Sequence, residues 1–253
     1  MPESTSTKRK VVPLRENYFC DGAYYLITSS KLGGLTPEVL AEKVSGSQEA
    51  DIKELMSSGV CIPVAFQGDC AMDSAVIVVG DLTAQEEAEW IGKISGRLKI
   101  PCGKLIVTCG GGDADTIEGA VSGKGLGESF TDYFQTVDVE PGDYLAEVYA
   151  YYPSIHGNFF FCKDEYDSDT EPMGEWKKWF QETRPGEALP PWLQEFKEYD
   201  MPGELSNLVS YIIRLAPLNG AAPEPELDPD IGWAAFVMRK PDKAPYGVLR
   251  EDL

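Results

Sequence analysis

Between Tyr133 and Tyr152 the chain reads YFQTVDVEPGDYLAEVYAYY, two runs of alternating apolar and polar residues about Pro141-Gly142-Asp143. Alternation of period two sends one face of a segment into a core and the other toward water, the signature of a strand in an antiparallel sheet. The tripeptide between the runs is turn-forming, so the sequence predicts a hairpin here. GNFFFCK (157–163) reads as a further strand of the same sheet.

Other strand-length runs recur along the chain: YFCDGAYYLITS (18–29), VCIPVAFQGD (60–69), MDSAVIVVGDL (72–82), IPCGKLIVTCG (100–110), NLVSYIIRLAPL (207–218) and GWAAFVMRKP (232–241). Helix signals are fewer and mark short elements. Thr36, Pro37 and Glu38 supply an N-cap, a first-turn proline and a first-turn acid. Gly59 closes a second helix whose Ile52, Leu55 and Met56 share a face. Thr83 and Glu86 form a capping box, with Ala84, Ala88, Ile91 and Ile94 at helical spacing and Glu86, Glu87 and Glu89 expected in water. Two further short helices are expected at GEWKKWFQE (174–182) and PPWLQEFKEY (190–199). Strands and hairpin turns outnumber helices, which predicts an α+β fold on a mostly antiparallel, sandwich-like sheet with a few short covering helices. Residues 1–15 read as a flexible polar arm with a basic cluster at Lys8, Arg9 and Lys10. Residues 16–253 read as one globular domain, and a change of texture at residue 163 is compatible with two intimate halves, 16–162 and 163–253.

The 253 residues carry 42 acidic and 22 basic side chains, a net charge of −20. Such a surface repels nucleic-acid phosphate and anionic membranes and attracts basic surfaces. No apolar run approaches a membrane span in length. Six cysteines show no C-x-x-C pair, which argues against a zinc ribbon and favours buried free thiols and a cytoplasmic setting.

Three motifs were candidates for chemistry. LIVTCGGGDAD (105–115), followed by GKGLGES (123–129), has the glycines of a phosphate loop, but Gly125 follows Lys124 where Ser or Thr is required and Glu118 stands where glycine is required. It therefore reads as a loop between strands, without nucleotide. His156, the one histidine, could pair with Cys162 as base and nucleophile, although no nucleophile signature surrounds either residue. Asp167, Asp169 and Glu171 alternate as in a calcium loop, but Pro172 replaces the obligatory glycine and Lys178 the terminal glutamate, so neither metal nor other cofactor is expected.

The segment 163–204 interleaves acids with Trp176, Trp179, Trp192, Phe180 and Phe196. Rings at helical spacing are ordinarily core; displayed beside acids, they would anchor a basic protein. Asp167, Asp169, Glu171, Trp176, Trp179 and Trp192 are thus the expected partner-binding residues. The functional expectation is a non-catalytic acidic binding protein of immunity or inhibitor type that neutralises a basic protein. An enzyme with a carboxylate or Cys/His site, and a small-molecule or sugar-binding sandwich, are the competing readings.

Overall fold

A computed structural model describes residues 9–15, 18, 22–66, 72, 74–126, 132–152, 154, 156–157, 172–190 and 207–253. Among these residues ten strands form two sheets. The larger has the order β1-β4-β9-β8-β5-β10 and comprises Lys10–Pro13, Val76–Val79, Tyr211–Pro217, Gly142–Ala150, Gly92–Ile100 and Val237–Met238. Only β4 and β9 run parallel in it. The smaller sheet is wholly antiparallel, in the order β3-β2-β6-β7: Cys61–Ala65, Tyr24–Ser29, Lys104–Cys109 and Phe134–Asp138. Five α-helices accompany the sheets among the described residues: α1 Pro37–Ser45, α2 Glu49–Ser58, α3 Ala84–Glu89, α4 Ala114–Ser122 and α5 Pro172–Thr183. The α+β architecture, dominated by sheet, follows the sequence expectation.

Alternation along β5 shows how the large sheet is two-sided. Ile94, Leu98 and Ile100 enter the main core with Ile77, Ala146, Val148, Ile213 and Leu215, opposite Ile27, Ile62 and Val107 of the small sheet. The other face is not left to water. Val76, Val78, Tyr149, Tyr151 and Ile212 pack under Trp90 and Val248, so the end of α3 and the C-terminal segment cover it. A third cluster joins Ile91, Tyr152 and Leu208 to Trp176, Trp179 and Phe180 of α5. Trp176 stacks on Tyr152 with centroids 4.1 Å apart. Both tryptophans of α5 are therefore buried, at 1% and 6% exposure, which corrects their reading as surface anchors: the apolar face of an amphipathic helix has gone inward.

Several local expectations change. The arm ends by Arg9, because Lys10–Pro13 pairs with β4 and the Arg9 guanidinium donates to Glu86 Oε1 at 2.5 Å. The expected hairpin is absent: β7 pairs with β6 and β8 with β5 and β9, so the chain crosses between sheets over residues 139–141, and Gly142 and Asp143 already belong to β8. The Thr83 capping box is present, but the helix stops at Glu89 and Ile91 and Ile94 belong to the approach to β5 and to the strand itself. Glu86 and Glu89 are buried. Beyond the glycines of 110–112 the chain enters α4 rather than a plain loop between strands. Cys61 and Cys102 are free thiols, the first buried, whereas Cys109 is disulfide-bonded, against the expectation of free thiols throughout. Among the described residues no helix is long and apolar enough to cross a membrane.

Candidate functional site

Helices α1 and α4 contact each other, and α4 also contacts β6 and β7 of the small sheet. Each begins on a side-chain cap. Thr36 Oγ1 accepts from Val39 N at 3.4 Å, and Asp113 Oδ2 accepts from Thr116 N at 2.8 Å and from its hydroxyl at 2.6 Å. The Asp113 carboxylate thus occupies the start of α4, where an anion would otherwise be drawn, and this removes the phosphate-loop reading on geometric grounds. Leu40, Ala41 and Val44 of α1 and Ile117, Gly119 and Ala120 of α4 point inward. Their opposite sides carry exposed Glu38, Glu42, Asp115 and Glu118, with exposed Asp113 at the α4 cap.

Lys43 is the one basic residue on these two helices, and it is already engaged by Asp51 at 2.6 Å and Glu54 at 2.9 Å, around α2. The two helices themselves therefore carry exposed acids in excess, with Lys124 exposed just beyond the end of α4. Hydrogen bonds from Thr36 and from the Glu38 backbone hold the Glu38 carboxyl below its ordinary pKa, so it stays charged. The acidic surface continues past the end of α1. Trp233 Nε1 donates to Val44 O at 3.2 Å and Ser47 Oγ at 3.1 Å, docking the segment that carries exposed Glu226 and Asp230. Val39 of α1 (40%), Ile231 of that segment (37%) and Tyr24 at the start of β2 (49%) are exposed apolar side chains, and Tyr24 leans edge-on against Trp233 at 5.0 Å.

The residues singled out from sequence distribute differently. Asp167, Asp169, Glu171, Trp192 and Cys162 lie outside the described residues, and Trp176 and Trp179 are core. His156 sits in an aromatic box made by Phe66, Tyr211 and Phe236. Its Nδ1 is 3.0 Å from the Tyr211 hydroxyl, and burial lowers its pKa to about 4. No group of three His, Cys, Asp or Glu side chains suited to a metal occurs among the described residues. The α1–α4 carboxylates were missed as a group; α4 itself could have been found from Asp113 as N-cap ahead of Ile117, Ala120 and Val121.

No family model matches the chain, and no curated protein matches it. One solved structure, titled Crocagin biosynthetic gene J, is similar at 11% identity over 83% of this chain and 96% of its own, with a TM-score of 0.38. A likeness of that degree carries no argument for fold or function.

Proposed function

We propose that the chain is a non-catalytic acidic binding protein, of immunity or inhibitor type, that docks a basic protein on the α1–α4 face. The observation that supports this reading is the excess of acid on the two packed helices, where Glu38, Glu42, Asp113, Asp115 and Glu118 are exposed and Lys43 is held by α2. On a molecule of net charge −20, such a face accelerates encounter with a cationic partner. Val39, Ile231 and Tyr24 then offer apolar contact beside it, as interfaces require. Nucleic acid and anionic membranes would be repelled by the same charges. The compartment belongs to the proposal too: scattered cysteines favour the cytoplasm, while the Cys109 disulfide weighs against that argument.

The test is capture from a native lysate on the immobilised full chain, followed by kinetics with the purified captured protein. The quadruple variant E38Q/E42Q/D115N/E118Q should slow association by roughly tenfold or more, and raising salt from about 0.05 to about 0.3 M should do the same to the wild type. A captured protein whose association ignores both changes refutes the reading.

A further inference from the structure

Residues 244–253 belong to neither sheet and to no α-helix, and their one regular element is a short 3-10 turn at Arg250–Asp252. They nevertheless cover the outer face of the large sheet, where Val248 packs with Trp90, Tyr149 and Ile212. Few bonds fasten them. Ala244 N donates to Thr183 Oγ1 at 3.0 Å and Arg184 Nε donates to Ala244 O at 2.7 Å. Val209 N donates to Val248 O at 2.8 Å. Between these two anchors the segment is tied to α3 through side chains alone: Gln85 Nε2 donates to Gly247 O at 3.1 Å, and Glu89 accepts from Tyr246 N at 3.1 Å and Gly247 N at 3.0 Å. Beside these bonds a cleft of about 1300 Å³ opens between α3, the residues following α5 and the segment itself. The segment thus meets α3 at the edge of open space, with room to move away from it.

Glu89 is the unusual member of this fastening. It is 4% exposed, and its donors, the two backbone amides and Gln85 Nε2 at 3.3 Å, are all uncharged. The charged groups around it are engaged elsewhere. Arg184 bonds Glu187 at 3.3 Å and lies 4.1 Å over the Tyr246 ring. Arg239 donates to the carbonyls of Glu87, Ala88 and Trp90 at the end of α3. On the inner side Glu86 is bonded by Arg9, and the Tyr151 hydroxyl donates to Glu86 O at 2.9 Å. Lys240, Asp242, Lys243, Glu251 and Asp252 of the C-terminal region line the cleft. None of these cations forms an ion pair with Glu89 among the described residues. A buried carboxylate without a counter-ion is costly to ionise, and neutral donors offset only part of that cost. Burial accordingly raises the pKa of Glu89 above the ordinary 4.5, against its three hydrogen bonds and the more distant charge of Arg184.

We infer that the C-terminal segment is a pH-sensitive strap latched by Glu89: it closes on α3 while Glu89 holds a proton, and it loosens when that proton passes to solvent and water reaches the carboxylate. Opening widens the cleft and uncovers the outer-face cluster around Trp90 and Tyr149. The closed form binds the proton more tightly than the open form, so closure is complete below about pH 4.5 and weakens as pH rises through the raised pKa. His156 works in the opposite sense, because burial lowers its pKa, and loss of closure with rising pH therefore cannot come from it. The strap is separate from the α1–α4 face and does not depend on the reading of that face.

The experiment is amide hydrogen exchange of the full chain, resolved by NMR between about pH 4.5 and about pH 8 and corrected for the intrinsic exchange rate at each pH. The Tyr246, Gly247 and Val209 amides should lose protection together, by roughly threefold or more across this range, while amides within β8 and β9 do not. In Glu89→Gln, which keeps the shape of the side chain and removes its charge, the same three amides should show a protection independent of pH, whatever its level. A flat profile in the wild type, a loss shared equally by β8 and β9, or the wild-type slope in Glu89→Gln would each overturn the inference. The first two of these outcomes are read on the wild type, so the test stands even if the variant fails to fold.

Discussion

Lowering the pH from 7.5 to 5 should destabilise the protein partly through a single side chain, His156. Its pKa falls from 6.5 to about 4 because burial among Phe66, Tyr211 and Phe236 penalises the imidazolium. The folded state binds this proton less tightly than the unfolded chain, so the contribution of His156 is complete above pH 6.5. It is lost as pH falls toward 4. At about 1.4 kcal/mol per pKa unit, the loss is about 2 kcal/mol by pH 5 and about 3 kcal/mol at pH 4. Many carboxylates also titrate in acid, so urea unfolding of the wild type alone does not isolate the term. The comparison with His156→Phe does, since phenylalanine keeps the ring contacts and removes the proton. The stability of wild type relative to variant should drop by about 2 kcal/mol between pH 7.5 and 5. Because the chain has one histidine, its imidazole carbon–proton resonance is unambiguous and should keep the neutral shift down to pH 5. A titration midpoint near 6.5, or parallel stability profiles for the two proteins, would refute the argument.

Two further outcomes follow from packing and charge. Glu147 is buried on the outer face of the large sheet, 2.8 Å from Arg214 Nη1, 2.8 Å from the Tyr149 hydroxyl and 3.5 Å from Lys93 Nζ. A double-mutant cycle on E147Q and R214Q, read by urea unfolding, should give a coupling of about 2 kcal/mol; a value below about 0.5 kcal/mol would show the two to be independent. At Gly119 an added Cβ would meet Gly125 O at 2.7 Å and collide with the Tyr133 hydroxyl. Although alanine favours helix by about 1 kcal/mol, Gly119→Ala should therefore cost about 2 kcal/mol or more and lower Tm by roughly 4 °C or more. An unchanged or higher Tm on thermal melting would contradict the overpacking argument.

What the sequence disclosed was whatever the chain decides within a few residues. Thr36 before Pro37, the Thr83–Glu86 box and the left-handed Gly59 each act through contacts one turn away, and each stands where it was expected. The strands expected on either side of Pro141 are likewise present, as β7 and β8. Pairing does not follow from it: the two strands flanking Pro141-Gly142-Asp143 alternate as a hairpin would, yet their partners are β6 on one side and β5 and β9 on the other. The fate of the carboxylates was illegible for the same reason. Glu86 and Glu89 share a helix with Glu87 and look equally solvated in sequence. Glu86 is matched by Arg9, 77 residues away, and Glu89 by backbone donors 157 and 158 residues away. Burial then divides the acidic population, since a carboxylate that finds such donors can leave water, and one that finds none must stay in it. Glu38, whose donors are local and leave it in water, and the exposed Glu42, Asp115 and Glu118 stay at the surface, on the two helices that pack against each other. Net charge was readable from composition, but its concentration on one face depends on a helix–helix contact between segments about 70 residues apart. The proposed binding surface is for that reason a property of the fold, and the quadruple charge variant tests the fold's placement of those acids as much as their number.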